Sequence, residues 1–170
     1  MKTSALVAAL LLLLFGVTAS AQGVFLYQNS FARTRLGSAD GPLAGPETLG
    51  VMIVGTNVNS LAPIIAPLPH QQGGIAGGVV AVPGVPPNTL VYIQLVAWLA
   101  VWGSDLSAVP PEQLGKTDID TRILNYPFDP TGPPLFQQPA VVPIPEPLLR
   151  CFAALGLASW LTARAVRFRR

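Results

Sequence analysis

Few residues in this chain could do chemistry, and their spacing narrows what they could do. His70 is the sole histidine and Cys151 the sole cysteine. A single histidine excludes a multi-histidine metal site, and Pro69-His70-Gln71-Gln72 offers no neighbouring nucleophile, so His70 reads as a solvent-exposed loop residue. Cys151 sits in an apolar stretch, where a free thiol ordinarily behaves as a small buried hydrophobe. Asp118 and Asp120 alternate along a strand and would share one face, a beginning for a calcium site. Lys116 and Arg122 fall on the same face and no further ligands accompany them, so an exposed edge of alternating charge is the better reading. Gly73-Gly74 and Gly77-Gly78 lack the lysine and the strand-to-helix context of a phosphate loop. Tyr92, Trp98 and Trp102 raise the alternative of a sugar-stacking face. In so apolar a segment Tyr92 and Trp98 are expected in the core, which leaves Trp102, beside Gly103, as the candidate ligand contact. The residues themselves predict no catalytic centre, no metal and no cofactor, and hence a protein that is not an enzyme.

The elements that must position these residues are set by composition. Of 170 residues, 51% are hydrophobic and 11% charged, and all 18 prolines fall between Pro42 and Pro147. Proline removes a backbone donor and fixes φ, so no long helix fits that window. Short β-branched and aromatic runs separated by Gly, Pro, Asn and Asp predict an all-β fold, a single sandwich-like domain over residues 22–128. Expected strands are Val24 to Gln28, Gly50 to Asn57, Gly78 to Val82, Thr89 to Leu99 and Asp118 to Asn125. The strand from Thr89 to Leu99 is apolar on both faces and is therefore expected at the centre of the sheet. Pro110 to Gly115, with proline opening and glycine closing, predicts one helical turn. Residues 129–147 hold seven prolines, and the stretch reads as an extended, solvated linker that keeps the domain away from the apolar C-terminal segment.

Charge placement and the two ends speak to address. Between Gln22 and Pro147 there are four cations, Arg33, Arg35, Lys116 and Arg122, against eight acids, a balance of −4 that excludes nucleic acid as the expected partner. Residues 1–21 have the three parts of a secretory signal: Lys2, an apolar run of about 13 residues from Ala5 to Val17, and the small residues Ala19 and Ala21 at the cleavage site for signal peptidase. Export permits disulfides, but one cysteine cannot form one within the chain, so stability must come from burial. At the other end, residues 148–166 read as a C-terminal transmembrane helix. Its uncharged part, Cys151 to Ala163, is about 13 residues long between Arg150 and Arg164, and the basic tail 167–170 comes last. Arg167, Arg169 and Arg170 would hold that tail on the cytoplasmic side.

The triplet Pro145, Glu146 and Pro147, then the apolar stretch, then the arginines, resembles the PEP-CTERM sorting signal. The resemblance implies recognition and processing of the triplet by exosortase, an integral membrane cysteine protease, with transient membrane anchoring before placement at the cell surface or in the extracellular matrix. The prolines hold the backbone extended with no donors of their own, and Glu146 supplies one charged handle. The central domain is also similar to PEP-CTERM proteins common in verrucomicrobial genomes, through Gly23-Val24-Phe25, Val82-Pro83-Gly84-Val85, the strand Val91 to Trp98, and Gly103-Ser104. The expectation is a secreted, non-enzymatic surface or matrix protein. The alternatives are an envelope carbohydrate-binding module meeting extracellular polysaccharide through Trp102, and a tail-anchored periplasmic domain that is never processed.

Overall fold

A computed structural model describes residues 21–145. Residues 1–20, with Ala19, and the segment from Glu146 onward, with Pro147, the apolar stretch, Arg167, Arg169 and Arg170, lie outside the described residues. Among the described residues no helix is long and apolar enough to cross a membrane.

The fold is all-β. Its strands are β1 (Val24–Gln28), β2 (Arg35–Leu36), β3 (Thr48–Gly55), β4 (Ala62–Pro63), β5 (Leu68–Pro69), β6 (Ala76–Ala81), β7 (Leu90–Leu99), β8 (Gly115–Lys116), β9 (Asp120–Ile123) and β10 (Val141–Val142). Three single 3-10 turns, Ala100–Trp102, Leu106–Ala108 and Pro111–Gln113, connect β7 to β8. The last of these is the turn that its flanking proline and glycine forecast.

β7 occupies the centre, as its two apolar faces require. One edge pairs antiparallel with all of β3, from Thr48 opposite Leu99 to Gly55 opposite Tyr92. The other edge pairs with β9 and then β8. Between those two short strands the ladder is carried by a side chain: Thr117 Oγ accepts the Leu95 N–H at 3.1 Å, while the Gln94 amide donates to the Thr117 carbonyl at 2.7 Å. On one face Val91, Ile93, Leu95 and Ala97 pack with Phe25 and Tyr27 of β1, Leu124, Phe136, Ala140 and Val142. On the other face Val96 and Trp98 pack with Val51 and Val109, closed over by Leu106 and Leu114 from the 3-10 turns. Each such side chain, fully buried, contributes roughly 1.5–3 kcal/mol. Trp98 is fully buried as expected, and its indole N–H donates to the Gly103 carbonyl at 2.8 Å. Tyr92 is only half-buried: it shares a face with Val96 and Trp98 but lies outside the cluster that covers them.

β1 and β6 form a second, two-stranded antiparallel sheet, and β10 lies parallel to β2. The two sheets that share the core are joined by a polar contact. β4 and β5 cover the outer edge of β3 at its two ends only, and in the interval between them the Met52 N–H donates to the Tyr27 hydroxyl. Burial pushes the Tyr27 phenol up to about 12, so it stays protonated.

The Pro-rich stretch corrects the sequence expectation. It is extended, but it is not a solvated linker: it runs along the domain and closes it. The Thr131 carbonyl accepts the Leu26 N–H at 2.9 Å, Phe136, Ala140 and Val142 are buried in the core, and β10 completes the parallel pair. Proline leaves this segment few donors, so the donors that remain decide where it lies. Two of them go to the carboxylates expected to sit free on an exposed edge. The Leu135 N–H donates to Asp120 at 2.7 Å, and the Gln137 N–H donates to both Asp118 oxygens at 3.1 and 3.2 Å. Arg122 pairs with Asp120 at 3.1 Å and donates to the Pro133 carbonyl at 2.6 Å. The Asp118-Ile119-Asp120 pattern is therefore a clasp for the chain's own Pro-rich segment.

Both polar contacts can be removed singly. Tyr27→Phe leaves the Met52 N–H buried without an acceptor and should cost about 1–3 kcal/mol in denaturant unfolding, with the fold retained. Asp120→Ala should speed amide exchange at Leu135 and expose the 129–139 segment to protease, while amides of β3 and β7 stay protected.

Candidate functional site

The loop from Asn29 to Thr34, between β1 and β2, is pinned by buried polar groups. Asn29 is 1% exposed; its amide donates to the carbonyls of Ala32 (3.2 Å) and Gly73 (3.1 Å), and its oxygen accepts the Ile75 N–H (2.6 Å). At the far end of the loop the Thr34 N–H donates to the Gly73 carbonyl at 2.8 Å. Opposite stands the turn Gln71-Gln72-Gly73-Gly74, closed by hydrogen bonds in both directions between Gln71 and Gly74. Gln72 (φ 49°) and Gly73 (φ 77°) both occupy the left-handed region that two-residue hairpin turns demand, where Asn-Gly is the usual pair.

His70 locks the two loops together. The sequence placed it in solvent; the structure buries it completely. Gly50 on β3 makes this feasible, since a Cβ there would collide with the imidazole. Nδ1 lies 3.1 Å from the Thr48 carbonyl and Nε2 2.8 Å from Thr34 Oγ. A carbonyl only accepts, so Nδ1 carries the proton and Nε2 accepts from the Thr34 hydroxyl. Burial lowers the His70 pKa from its ordinary value, opposed by the Thr48 carbonyl and the charge of Glu47. The ring is thus a structural tie with both nitrogens engaged; no carboxylate is hydrogen-bonded to it, and its one side-chain partner, the Thr34 hydroxyl, is itself fully buried.

Above this tie lies a groove of about 490 Å³ lined by Gln28, Asn29, Ser30, Arg33, Gln71 and Gln72 over an apolar floor that includes Leu68 and Ile75. A second groove of about 360 Å³ adjoins it through Arg33 and is lined by Phe31, Arg35 and Gln137. Phe31 is 65% exposed. No carboxylate lines either groove. Chemically this is a hydrogen-bonding surface with cationic character, without an acid–base pair or an activated nucleophile. Among the described residues no cluster of His, Cys, Asp and Glu is arranged to hold a metal.

Trp102, the sequence candidate, stands elsewhere, on the 3-10 turn that ends β7, with 37% of its surface exposed and Val101 beside it at 75%. It lines neither groove. Ala21 is exposed at the start of the described chain and Pro145 is half-buried at its end. Phe31, Arg33 and Gln72 were not singled out by the sequence. The only local sign was the Gln72-Gly73 pair, a turn in which glutamine takes asparagine's usual place.

The His70 environment sets a pH dependence. Because the folded pKa lies below that of the unfolded chain, the unfolded state takes up a proton first as pH falls, so this contribution to stability is full above about pH 6.5 and declines below it towards the folded pKa. Thermal unfolding measured from pH 7.5 to 5 should show a falling midpoint in wild type, and His70→Gln, less stable at neutral pH, should show a flatter profile.

No known family, curated protein or solved structure matches this chain in sequence or fold.

Proposed function

We propose that the chain is an exported, non-enzymatic protein of the cell surface or extracellular matrix, sorted by a PEP-CTERM signal and processed by exosortase after signal peptidase has cut following Ala21. The observation that carries this reading is the order Pro145-Glu146-Pro147, uncharged Cys151 to Ala163, then Arg167, Arg169 and Arg170, in a chain that opens with a secretory signal pattern. In this reading residues 148–166 form the transient transmembrane helix, and the β-domain, a two-layer sandwich about β7, stays on the far side of the membrane. Support comes from how the titratable residues are used. His70 ties two loops, Asp118 and Asp120 clasp the Pro-rich segment, and Arg122 joins that clasp, so these side chains serve architecture. The last described strand, β10, ends at Val142, three residues before Pro145, so the triplet comes directly after the domain and cleavage there would leave every described strand in place.

The intact mass of the mature protein tests this, with membrane and extracellular fractions taken separately for wild type and Glu146→Ala. Wild type should lose its tail near Pro145 and leave the membrane, whereas Glu146→Ala should keep both. Retention of Arg170 by both proteins in the membrane fraction would overturn the sorting reading in favour of a plain tail anchor.

A further inference from the structure

The two adjoining grooves hold two of the three cations that have no carboxylate partner among the described residues. Between Gln22 and Pro147 the chain carries four cations against eight acids. Of those four, Arg122 is committed to Asp120, Lys116 is exposed on β8 outside both grooves, and Arg33 and Arg35 line them. Arg35 is oriented by donating to the Gly41 carbonyl at 2.7 Å. Arg33 is exposed, with no carboxylate paired to it among the described residues.

The surface is also anchored by buried hydrogen bonds and mixed in character. Phe31 and Arg33 ride on the loop that Asn29, Thr34 and His70 hold in place, so binding need not order that loop at entropic cost. Gln72 keeps a long amide at the groove in a left-handed backbone conformation that glycine or asparagine would adopt with less strain. An exposed aromatic ring, several amides and guanidinium groups without carboxylate partners are complementary to a ligand with an apolar ring face, many hydroxyls and regularly spaced carboxylates.

We infer that these grooves form a binding site for an acidic polysaccharide, a uronate-type glycan, with Phe31 stacking on a sugar ring, Arg33 and Arg35 meeting carboxylates, and Gln71 and Gln72 meeting hydroxyls. Nucleic acid fits less well, because a dense phosphate chain draws on more cations than two arginines in an otherwise acidic domain. The site does not depend on the sorting reading, so the mass measurement and the binding measurement fail independently.

The test is calorimetric binding of the full chain, held in mild detergent, to polygalacturonate oligomers, to the same oligomers with their carboxyl groups reduced to alcohols, and to single-stranded DNA. Binding to the acidic oligomer is expected, weakening as salt rises, with the reduced oligomer and DNA bound far less. Arg33→Gln and Phe31→Ala should each weaken it by about fivefold or more without lowering the unfolding midpoint. Gln72→Gly should weaken binding while leaving stability equal or higher. Absence of binding, equal affinity for the reduced oligomer or for DNA, or indifference to Arg33→Gln and Phe31→Ala would overturn the proposal. So would loss of binding on Trp102→Ala alone, which would move the glycan to the end of β7.

Discussion

Everything in this fold answers one demand, that a ten-residue strand apolar on both faces be kept from water on both sides. β3 pairs with eight of those ten residues, but a two-stranded ribbon covers neither face. On one side the cover is β1 with β6, completed by residues contributed from the Pro-rich segment. On the other it is the run of 3-10 turns between β7 and β8, whose Leu106, Val109 and Leu114 close over Trp98. The short strands are a consequence. Where β4, β5, β8 and β9 break off, a side chain takes over the backbone's hydrogen bonding, Tyr27 for Met52 and Thr117 for Leu95.

A second layer of organisation is polar. Proline-rich and glycine-rich segments have little side-chain bulk and few donors with which to fix their own conformation. Here fixed polar side chains hold them instead: the carboxylates of Asp118 and Asp120 accept from the 135–137 segment, Asn29 donates to the Gly73 carbonyl and His70 accepts from the Thr34 hydroxyl. Buried amide and imidazole groups are expensive unless fully satisfied, and Asn29 and His70 use both ends of their side chains. The result is an outer surface tied down by buried polar groups on a domain whose single cysteine leaves no disulfide within the chain to staple it.

How far this was readable in advance depended on the range of the interaction. The centrality of β7 was legible because its two apolar faces are a local pattern. So was the single turn at Pro111–Gln113, where proline and glycine act within a few residues. The docking of the Pro-rich stretch was not. Proline frequency reports missing donors, while the destination of the remaining N–H groups at Leu135 and Gln137 is set by carboxylates some fifteen to nineteen residues earlier. His70 misled for the same reason: its polar neighbours suggested solvent, but the space that buries it is made by Gly50, twenty residues away on another strand. Phe31 and Arg33 left no sequence trace at all, because a single exposed aromatic and a single arginine are commonplace until a fold sets them over a groove.

The parallel pairing of β2 with β10 joins residues 35–36 to residues 141–142, nearly the whole domain apart in sequence. A chain synthesised from its N-terminus therefore holds its first strands unfinished through the emergence of the other described strands, since Leu26 waits for Thr131 and Arg35 for Ala140. Such closure by the last segment delays the cooperative step until nearly all of residues 21–145 is available, and topologies dominated by distant pairings fold slowly. Until then β1 and the apolar side of β7 stand uncovered, so the interval between emergence and closure is when this protein is most exposed to self-association.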